Sequence, residues 1–170
     1  MKFLTALMSL VLLSLPTTPV LATTLQGLTQ AQLIQQADLI VQVSPVSKAS
    51  EWRGGRIFTN YTVDVSEYLL GEGPRTLQIE LLGGEVNGIA QTVSGVPELP
   101  LEHSRLLFLK KHPRQSKFTP IQLGLGIFRY DEISRAWLPS TQESRVLGDT
   151  PQPLSVETLR NQIQSLRGKR

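Results

Sequence analysis

The stretch "RIFTNYTVDVSEY", residues 56–68, decides the fold. Residue types suited to a buried face occupy every second position: Ile57, Thr59, Tyr61, Val63 and Val65. A period of two residues is that of a β-strand with one face turned toward a core. The stretch therefore predicts a long strand that is buried on one side.

Two further strands are predicted beside it. Upstream, "DLIVQVSPV" (38–46) is a dense apolar run, which predicts a buried strand interrupted at Pro45. Downstream, "GEGP" (71–74) indicates a turn. "TLQIELLGG" (76–84) then alternates again, so a third strand is expected to run straight into a pair of glycines.

The second half of the chain adds shorter strands. "SRLLFLKK" (104–111) suits a strand buried on both sides, and "FTPIQLGLGIFRY" (118–130) supplies one or two more. Trp137 is expected to close a last hairpin across "DEISRA" (131–136). The basic residues around Pro113 indicate either a solvated turn between strands or an anion site. These residues are Lys110, Lys111, Arg114 and Lys117.

Helices are predicted only at the two ends. Thr29 and Gln32 have the spacing of a capping box, and Ser155 suits the N-cap of a closing helix. One apolar stripe follows Ser155: Val156, Leu159, Ile163 and Leu166. Antiparallel strands without intervening helices form a sandwich or a small barrel. The glycine-rich bend after the third strand favours a small OB-like antiparallel β-barrel, so the fold class is mainly β.

The beginning of the chain predicts export. Lys2 precedes an apolar run over 3–15, and small residues follow up to Ala22, the pattern of a cleaved signal peptide. The run is shorter than the roughly 20 residues that span a bilayer. We therefore expect residues 1–22 to be removed and residues 23–170 to form one domain in the periplasm or outside the cell, with no membrane span.

Composition restricts the classes of partner. The chain has no cysteine, so it cannot use disulfides and must fold on its apolar core. The formal net charge is only +3 at pH 7, and the predicted leader carries one of those charges at Lys2. Nucleic-acid binding requires many clustered cations, so we expect no nucleic-acid partner.

The order "ADLIVQVSPV", "YTVDVSEYLLGEGP", a "GG" loop and "LLFL" resembles the netrin-like branch of the OB-fold, to which tissue inhibitors of metalloproteinases belong. The elements "GGEVNG" and "SGVP" also resemble a group of exported, uncharacterised bacterial proteins. The resemblance covers residues 37–130 and implies an OB-like barrel. Those inhibitors bind the protease zinc through an amino-terminal cysteine, whereas this chain has none and is expected to begin at Thr23. The resemblance therefore does not imply that inhibitory mechanism.

The stretch "LLGGEVNGIAQTVSGVPEL" (81–99) is the most glycine-rich part of the chain. Two of its glycines have the spacing found in a P-loop, but Ile89 and Ala90 replace the residues that hold phosphate and magnesium, so it is not a nucleotide site. Two interpretations remain. The segment is a ligand loop on a barrel rim with Glu85 and Asn87 at its tip, or it is a bend whose glycines supply positive φ angles.

"SEWRGGRIF" (50–58) contains the best surface candidate. Trp52, Arg53 and Arg56 are expected in the loop between the first two strands, a loop that OB-folds commonly use for ligands. Tryptophan and arginine are favoured as interface anchors. Alternatively, Trp52 folds back and covers an open end of the barrel.

Enzymatic motifs are absent from the sequence. There is no HExxH, GxSxG or SxxK, and the only histidines are His103 and His112. We therefore expect no enzyme, no metal site and no cofactor. The rival hypothesis is a metal-independent hydrolase in which Glu102 and His103 activate Ser94 or another hydroxyl.

The function expected from the sequence is that of an exported, monomeric, non-enzymatic binding module. Its partner is expected to be another exported protein, met at the barrel-rim loops because a short-stranded barrel has interior room only for side chains. A protease-inhibitor-like module is the first alternative. A small-molecule or lipid carrier is another, and it would need a sizeable apolar pocket.

Cleavage of the leader gives the first testable prediction. Protein recovered from outside the cytoplasm should begin at Thr23, because the residues before it satisfy signal peptidase. Mass spectrometry of the intact protein measures this directly. Recovery of exported protein that still carries Met1 would contradict the prediction.

Overall fold

The computed structural model of the chain describes residues 28–140 and 153–167. The predicted leader and the predicted mature terminus at Thr23 lie outside the described residues. In chain order the elements are α1 (Gln30–Gln36), β1 (Leu39–Arg53), β2 (Arg56–Leu70), β3 (Thr76–Leu82), β4 (Gly84–Val86), β5 (Ile89–Gln91), β6 (Arg105–Lys111), β7 (Phe118–Pro120), β8 (Ile127–Asp131), β9 (Ala136–Pro139) and α2 (Val156–Arg167). The predicted fold class is confirmed: the described residues are mainly β, with one short helix before the strands and one helix after them.

Five strands close into the barrel. They run in the order β1, β2, β3, β7 and β6, and β6 pairs again with β1. Neighbouring strands are antiparallel except β3 and β7, which meet in parallel at Ile79 and Phe118. The hairpin of β8 and β9 extends the sheet from β6, and Trp137 on β9 also bridges Leu154. The five strands therefore form the small closed β-barrel that the sequence predicts, antiparallel except where β3 meets β7.

β1 is interrupted after Pro45, as the sequence predicts, but it continues beyond the interruption. It runs for 15 residues and pairs with β2 along its length. The register shifts between Pro45 and Ser47, which indicates a bulge. Proline has no N–H to donate, and at this point the strand leaves β6, so little pairing is lost. The Pro45 carbonyl accepts a hydrogen bond from the Glu102 N–H at 2.8 Å.

The bulge also reverses which residues of β1 face inward. Before it, the buried residues Val41 and Val43 carry odd numbers. After it, Lys48, Ser50 and Trp52 lie opposite Tyr61, Thr59 and Ile57 of β2. Paired residues share a face of the sheet, so these even-numbered residues continue the inner face. The alternation is therefore broken at Val46, and the strand could not be followed past Pro45 in the sequence.

Two apolar clusters stabilise the fold. One fills the barrel, with Val41, Tyr61, Val63, Ile79, Leu107 and Leu109 among its buried members. The other covers the outer face of β1, β6 and β8 with the two helices, and includes Ile34, Ile40, Phe108, Phe128, Trp137 and Leu159. Both predicted helix starts are confirmed: Thr29 and Gln32 form a capping box, and the Ser155 hydroxyl accepts from the Thr158 N–H at 3.1 Å.

A buried carboxylate on β3 joins three strands. Glu80 is only 5% exposed and accepts from Arg53 of β1 at 2.7 Å and from Lys117, next to β7, at 3.3 Å. Lys117 also donates to the Asn60 amide oxygen at 2.6 Å. Burial alone would raise the pKa of Glu80, but the hydrogen bonds from Arg53 and Lys117 outweigh it and lower the pKa below its ordinary value.

Replacing Glu80 with glutamine is expected to lower the free energy of unfolding by about 2 kcal/mol near neutral pH, because two cations lose their buried partner. Since the folded-state pKa of Glu80 is lowered, its contribution is complete above the ordinary value of 4.5 and is lost as the pH falls through the folded-state value. Urea unfolding from about pH 7 to about pH 3 should therefore show a shallower acid dependence for E80Q than for the wild type.

Glu72 supplies the control, because it is exposed in the turn between β2 and β3. E72Q should retain the stability and the pH dependence of the wild type. If E80Q were as stable as the wild type at neutral pH and lost stability equally in acid, the proposed contribution of Glu80 would be wrong.

Candidate functional site

The candidate site is an open cleft of about 460 Å³ between the inner face of the β1–β2 hairpin and the segment that follows β3. Its polar lining includes Lys48, Ser50, Thr59, Glu85, Gln91 and Glu98. Apolar atoms come from Leu81, Leu82, Val93 and Val96. The cleft is therefore lined by both polar and apolar atoms, and the glycine-rich stretch provides one wall.

That wall is a small hairpin which the sequence analysis did not identify. β4 and β5 are antiparallel, and Val86 pairs with Ile89 across a two-residue loop. Asn87 and Gly88 in the loop have φ angles of 52° and 77°. Positive φ at both positions is typical of a type I′ turn, for which Asn-Gly is the strongest signal. The Asn-Gly pair was therefore the available clue, and the backbone of Asn87 forms the turn.

The paired glycines before β4 are required by the backbone. Gly83 and Gly84 have φ angles of 101° and 129°. The Thr59 hydroxyl donates to the Gly83 carbonyl at 2.7 Å, and the Gly83 N–H donates to the Ile57 carbonyl at 2.7 Å. A Cβ on Gly84 would lie 2.1 Å from Thr59 Oγ1 and 2.8 Å from Ser50 Oγ. The bend interpretation therefore accounts for these two glycines, which let the hairpin lie directly on β1 and β2.

Charged and phenolic groups lie around the mouth of the cleft. Lys48 forms an ion pair with Glu98, and this hydrogen bond raises the pKa of Lys48. Tyr61 is buried below them, and burial raises the pKa of its hydroxyl. The Tyr61 hydroxyl accepts from the Leu99 N–H at 3.4 Å. Glu85 is exposed on the opposite wall, so the mouth carries one ion pair and one further carboxylate.

Trp52, Arg53 and Arg56 do not lie in a loop, contrary to the prediction. They belong to β1 and β2, and the connection is only Gly54 and Gly55, with φ angles of 58° and 77°. The loop is short because both glycines adopt the left-handed conformation of a tight hairpin turn. Trp52 is 47% exposed on the inner face, so it remains accessible near the cleft.

The two arginines face away from Trp52. Arg53 and Arg56 are register partners, and Arg53 follows Trp52 in the strand, so both lie on the outer face. The Arg53 guanidinium binds Glu80 and lies 4.0 Å from the centroid of the Phe58 ring. Arg56 is exposed. The structure therefore separates the predicted cluster into an accessible tryptophan on one face and two arginines on the other, one of them bound to Glu80.

The residues of the hydrolase hypothesis lie elsewhere. Glu102 has a φ angle of 64° and its N–H binds Pro45, and His103 is exposed next to it, just before β6. Ser94 lies in the turn after β5. Among the residues that the structure describes, the lining of the cleft includes none of these three.

No family model matches the sequence, and no curated protein matches it with significance. Over residues 28–140 and 153–167, neither helix is long and apolar enough to cross a membrane. The function is therefore inferred from the geometry of the site.

Gly84 gives a direct test of how the wall of the cleft is held. Gly84→Ala is expected to lower the free energy of unfolding by about 3 kcal/mol, because it combines backbone strain with a clash against Thr59. Gly88→Ala is the matched control: its φ is also positive, but a Cβ there meets nothing within 4 Å. It should cost about 1 kcal/mol. If urea unfolding showed that Gly84→Ala and Gly88→Ala lower the free energy of unfolding equally, the close contact at Gly84 would be contradicted.

Proposed function

We propose that the chain is an exported, non-enzymatic binding module that engages another exported protein through its rim. The rim consists of Trp52, the cleft and the exposed carboxylate of Glu85. One observation carries the proposal: Trp52 is about half exposed on the strand face that continues through Ser50 and Lys48 into the cleft. An exposed tryptophan beside a concave surface is typical of an interface anchor.

The surroundings of each candidate residue narrow the set of anchors. Arg53 stabilises Glu80, and the backbone of Asn87 forms the hairpin turn. Trp52 and Glu85 are exposed, Trp52 on the inner face of β1 and Glu85 in the lining of the cleft. The proposed contact therefore rests on these two residues, with Lys48 and Glu98 as neighbouring charges that a polar partner would meet.

The cleft also supports a second candidate function, the binding of a small polar molecule. Its volume of about 460 Å³ falls within the range of about 300–1,000 Å³ that is typical of ligand sites. The mixed polar and apolar lining suits a small polar ligand better than a lipid. A protease-inhibitor-like module remains a form of protein binding, and any such contact would use the rim instead of an amino-terminal cysteine.

Affinity capture from the native host, followed by a mutant series, tests the proposal. Trp52→Ala should weaken the binding of the captured partner by about 2 kcal/mol, or about thirtyfold in Kd, because a central aromatic anchor is lost. Glu85→Ala should weaken it less, because the carboxylate is exposed and screened. Binding can be measured by calorimetry with the purified partner.

Ile133 provides the control for loss of an exposed apolar side chain. It is 96% exposed in the turn between β8 and β9. Ile133→Ala should leave the affinity unchanged. If the partner bound equally well to the variants at Trp52 and Glu85, the binding surface would lie elsewhere. A small molecule that co-purifies and is lost on Gln91→Ala would favour the second candidate.

A further inference from the structure

The second half of β1 has a strand partner on one side only. β1 pairs with β6 from Leu39 to Val43 and with β2 as far as Arg53. The segment before β6 reaches this part of β1 through the Glu102–Pro45 hydrogen bond and the Lys48–Glu98 ion pair, but no strand among the described residues pairs with the other edge of β1. Unpaired edges are templates for the addition of another strand.

The tight turn determines which backbone groups point to this free edge. Arg53 and Arg56 flank a two-residue hairpin loop, so they exchange both N–H···O bonds. The backbone N–H and C=O groups of alternate residues then point away from β2. These residues are Trp52, Ser50 and Lys48. Ile57, which lies opposite Trp52, supports this assignment of outward-pointing residues. Its N–H binds the Gln91 side chain and its carbonyl binds the Gly83 N–H, both on the side away from β1.

The free edge is bounded at both ends. The bulge between Pro45 and Ser47 interrupts it on one side, and the Gly54–Gly55 turn ends it on the other. Between them lie Lys48, Ala49, Ser50, Glu51 and Trp52, and all except Ser50 are exposed. A strand that fits this edge is therefore short and can use at most the backbone groups of Lys48, Ser50 and Trp52.

We propose that this edge pairs with the same edge of a second copy of the chain, antiparallel about Ser50. In that register Ser50 meets the partner's Ser50, and Lys48 meets the partner's Trp52. All three outward-pointing residues then exchange both of their backbone hydrogen bonds with the second copy. No foreign strand is needed to satisfy the edge.

The side chains favour this register over the registers centred on Lys48 and on Glu51. Lys48 keeps its ion pair with Glu98 of its own chain and lies opposite the partner's Trp52 on the inner face, where the two form a cation–aromatic pair. Ala49 meets the partner's Glu51 on the outer face. Pairing about Lys48 would place two lysines opposite each other, and pairing about Glu51 would place two glutamates together. A lysine on an edge commonly prevents pairing. Here it meets an aromatic ring, so the edge is complementary to itself.

The dimer is expected to be weak and concentration-dependent. One short strand pair buries less than the roughly 1,200 Å² of a stable interface. It would join the inner faces of the two β1–β2 hairpins into one sheet, with a cleft on each copy. This replaces the sequence-based expectation of a monomer. It does not depend on the proposed partner binding, because self-association is measured with the purified chain alone.

Cross-linking tests the register directly, because the chain contains no cysteine of its own. Ser50→Cys should form a disulfide-linked dimer under mild oxidation, since hydrogen-bonded pairs have Cα atoms about 5.5 Å apart, within disulfide reach. Ser47→Cys is the matched control. In the proposed register the two copies of residue 47 are offset by about 20 Å along the strands, so it should cross-link at least about tenfold more slowly. Equal rates for the two variants would overturn the proposal.

Sedimentation of the full chain from about 1 µM to about 500 µM should show a rising average mass for the wild type. Ser50→Pro removes an N–H that only the second copy would use, and it should raise the dissociation constant at least about tenfold. Ser50→Ala removes the same hydroxyl but keeps the N–H, and it should associate like the wild type. A wild-type chain that stays monomeric at the highest concentration would overturn the proposal. If Ser50→Pro does not fold, the comparison of Ser50→Cys with Ser47→Cys tests the proposal instead.

Discussion

Closure of the barrel depends on the pairing of the first five residues of β1 with β6. This pairing turns a row of five strands into a closed surface, and it requires β1 to serve two neighbours at once. A strand that pairs with both must bend sharply, and the bulge at Pro45–Ser47 provides the bend just after Val43. The rest of β1 is thereby released from β6. The hairpin arm, the cleft on its inner face and the free edge all follow from that release.

The bulge also divides the later residues of β1 between two roles. On the outer face, Arg53 reaches Glu80, which Lys117 approaches from the other side. This network joins β1, β3 and the start of β7, where the parallel contact of β3 with β7 is limited to one residue pair. On the inner face, Trp52 stays exposed. Adjacent residues therefore differ in function because strand geometry places them on opposite sides of the sheet.

The sequence predicted the structural elements correctly where the pattern involved residues close together in the chain. The alternation over 56–68, the Thr29 capping box and the apolar stripe after Ser155 each depend on neighbours a few residues away, and each predicted the observed element. The barrel could be predicted because strands without helices between them have few ways to bury two apolar faces. Pro45 was misleading, since the residue that tolerates a bulge is the residue that usually ends a strand.

The candidate site was predicted less well, because its geometry depends on contacts between distant segments. Glu80 lies between Ile79 and Leu81 in an alternating strand, so its pattern indicates an exposed position. It is nevertheless buried, and residues 27 and 37 positions away supply the two cations that bind it. The placement of Trp52 and Arg53 on opposite faces likewise could not be predicted, because it depends on the strand continuing up to a turn of only two residues. Asn87–Gly88 was different: the hairpin signal was present in the sequence, and the glycine-rich context obscured it.

The glycines of the segment after β3 shape the cleft that is proposed to bind a partner. Gly84 has no side chain, so the hairpin of β4 and β5 can lie against Thr59 and Ser50. Any side chain at Gly84 would have to displace the hairpin, and with it one wall of the cleft that contains Glu85 and Gln91. A glycine that serves the backbone is therefore not evidence against a binding role. Here the tight bend sets the shape of the concave surface, and the residues available for recognition are those that the bend places along its rim.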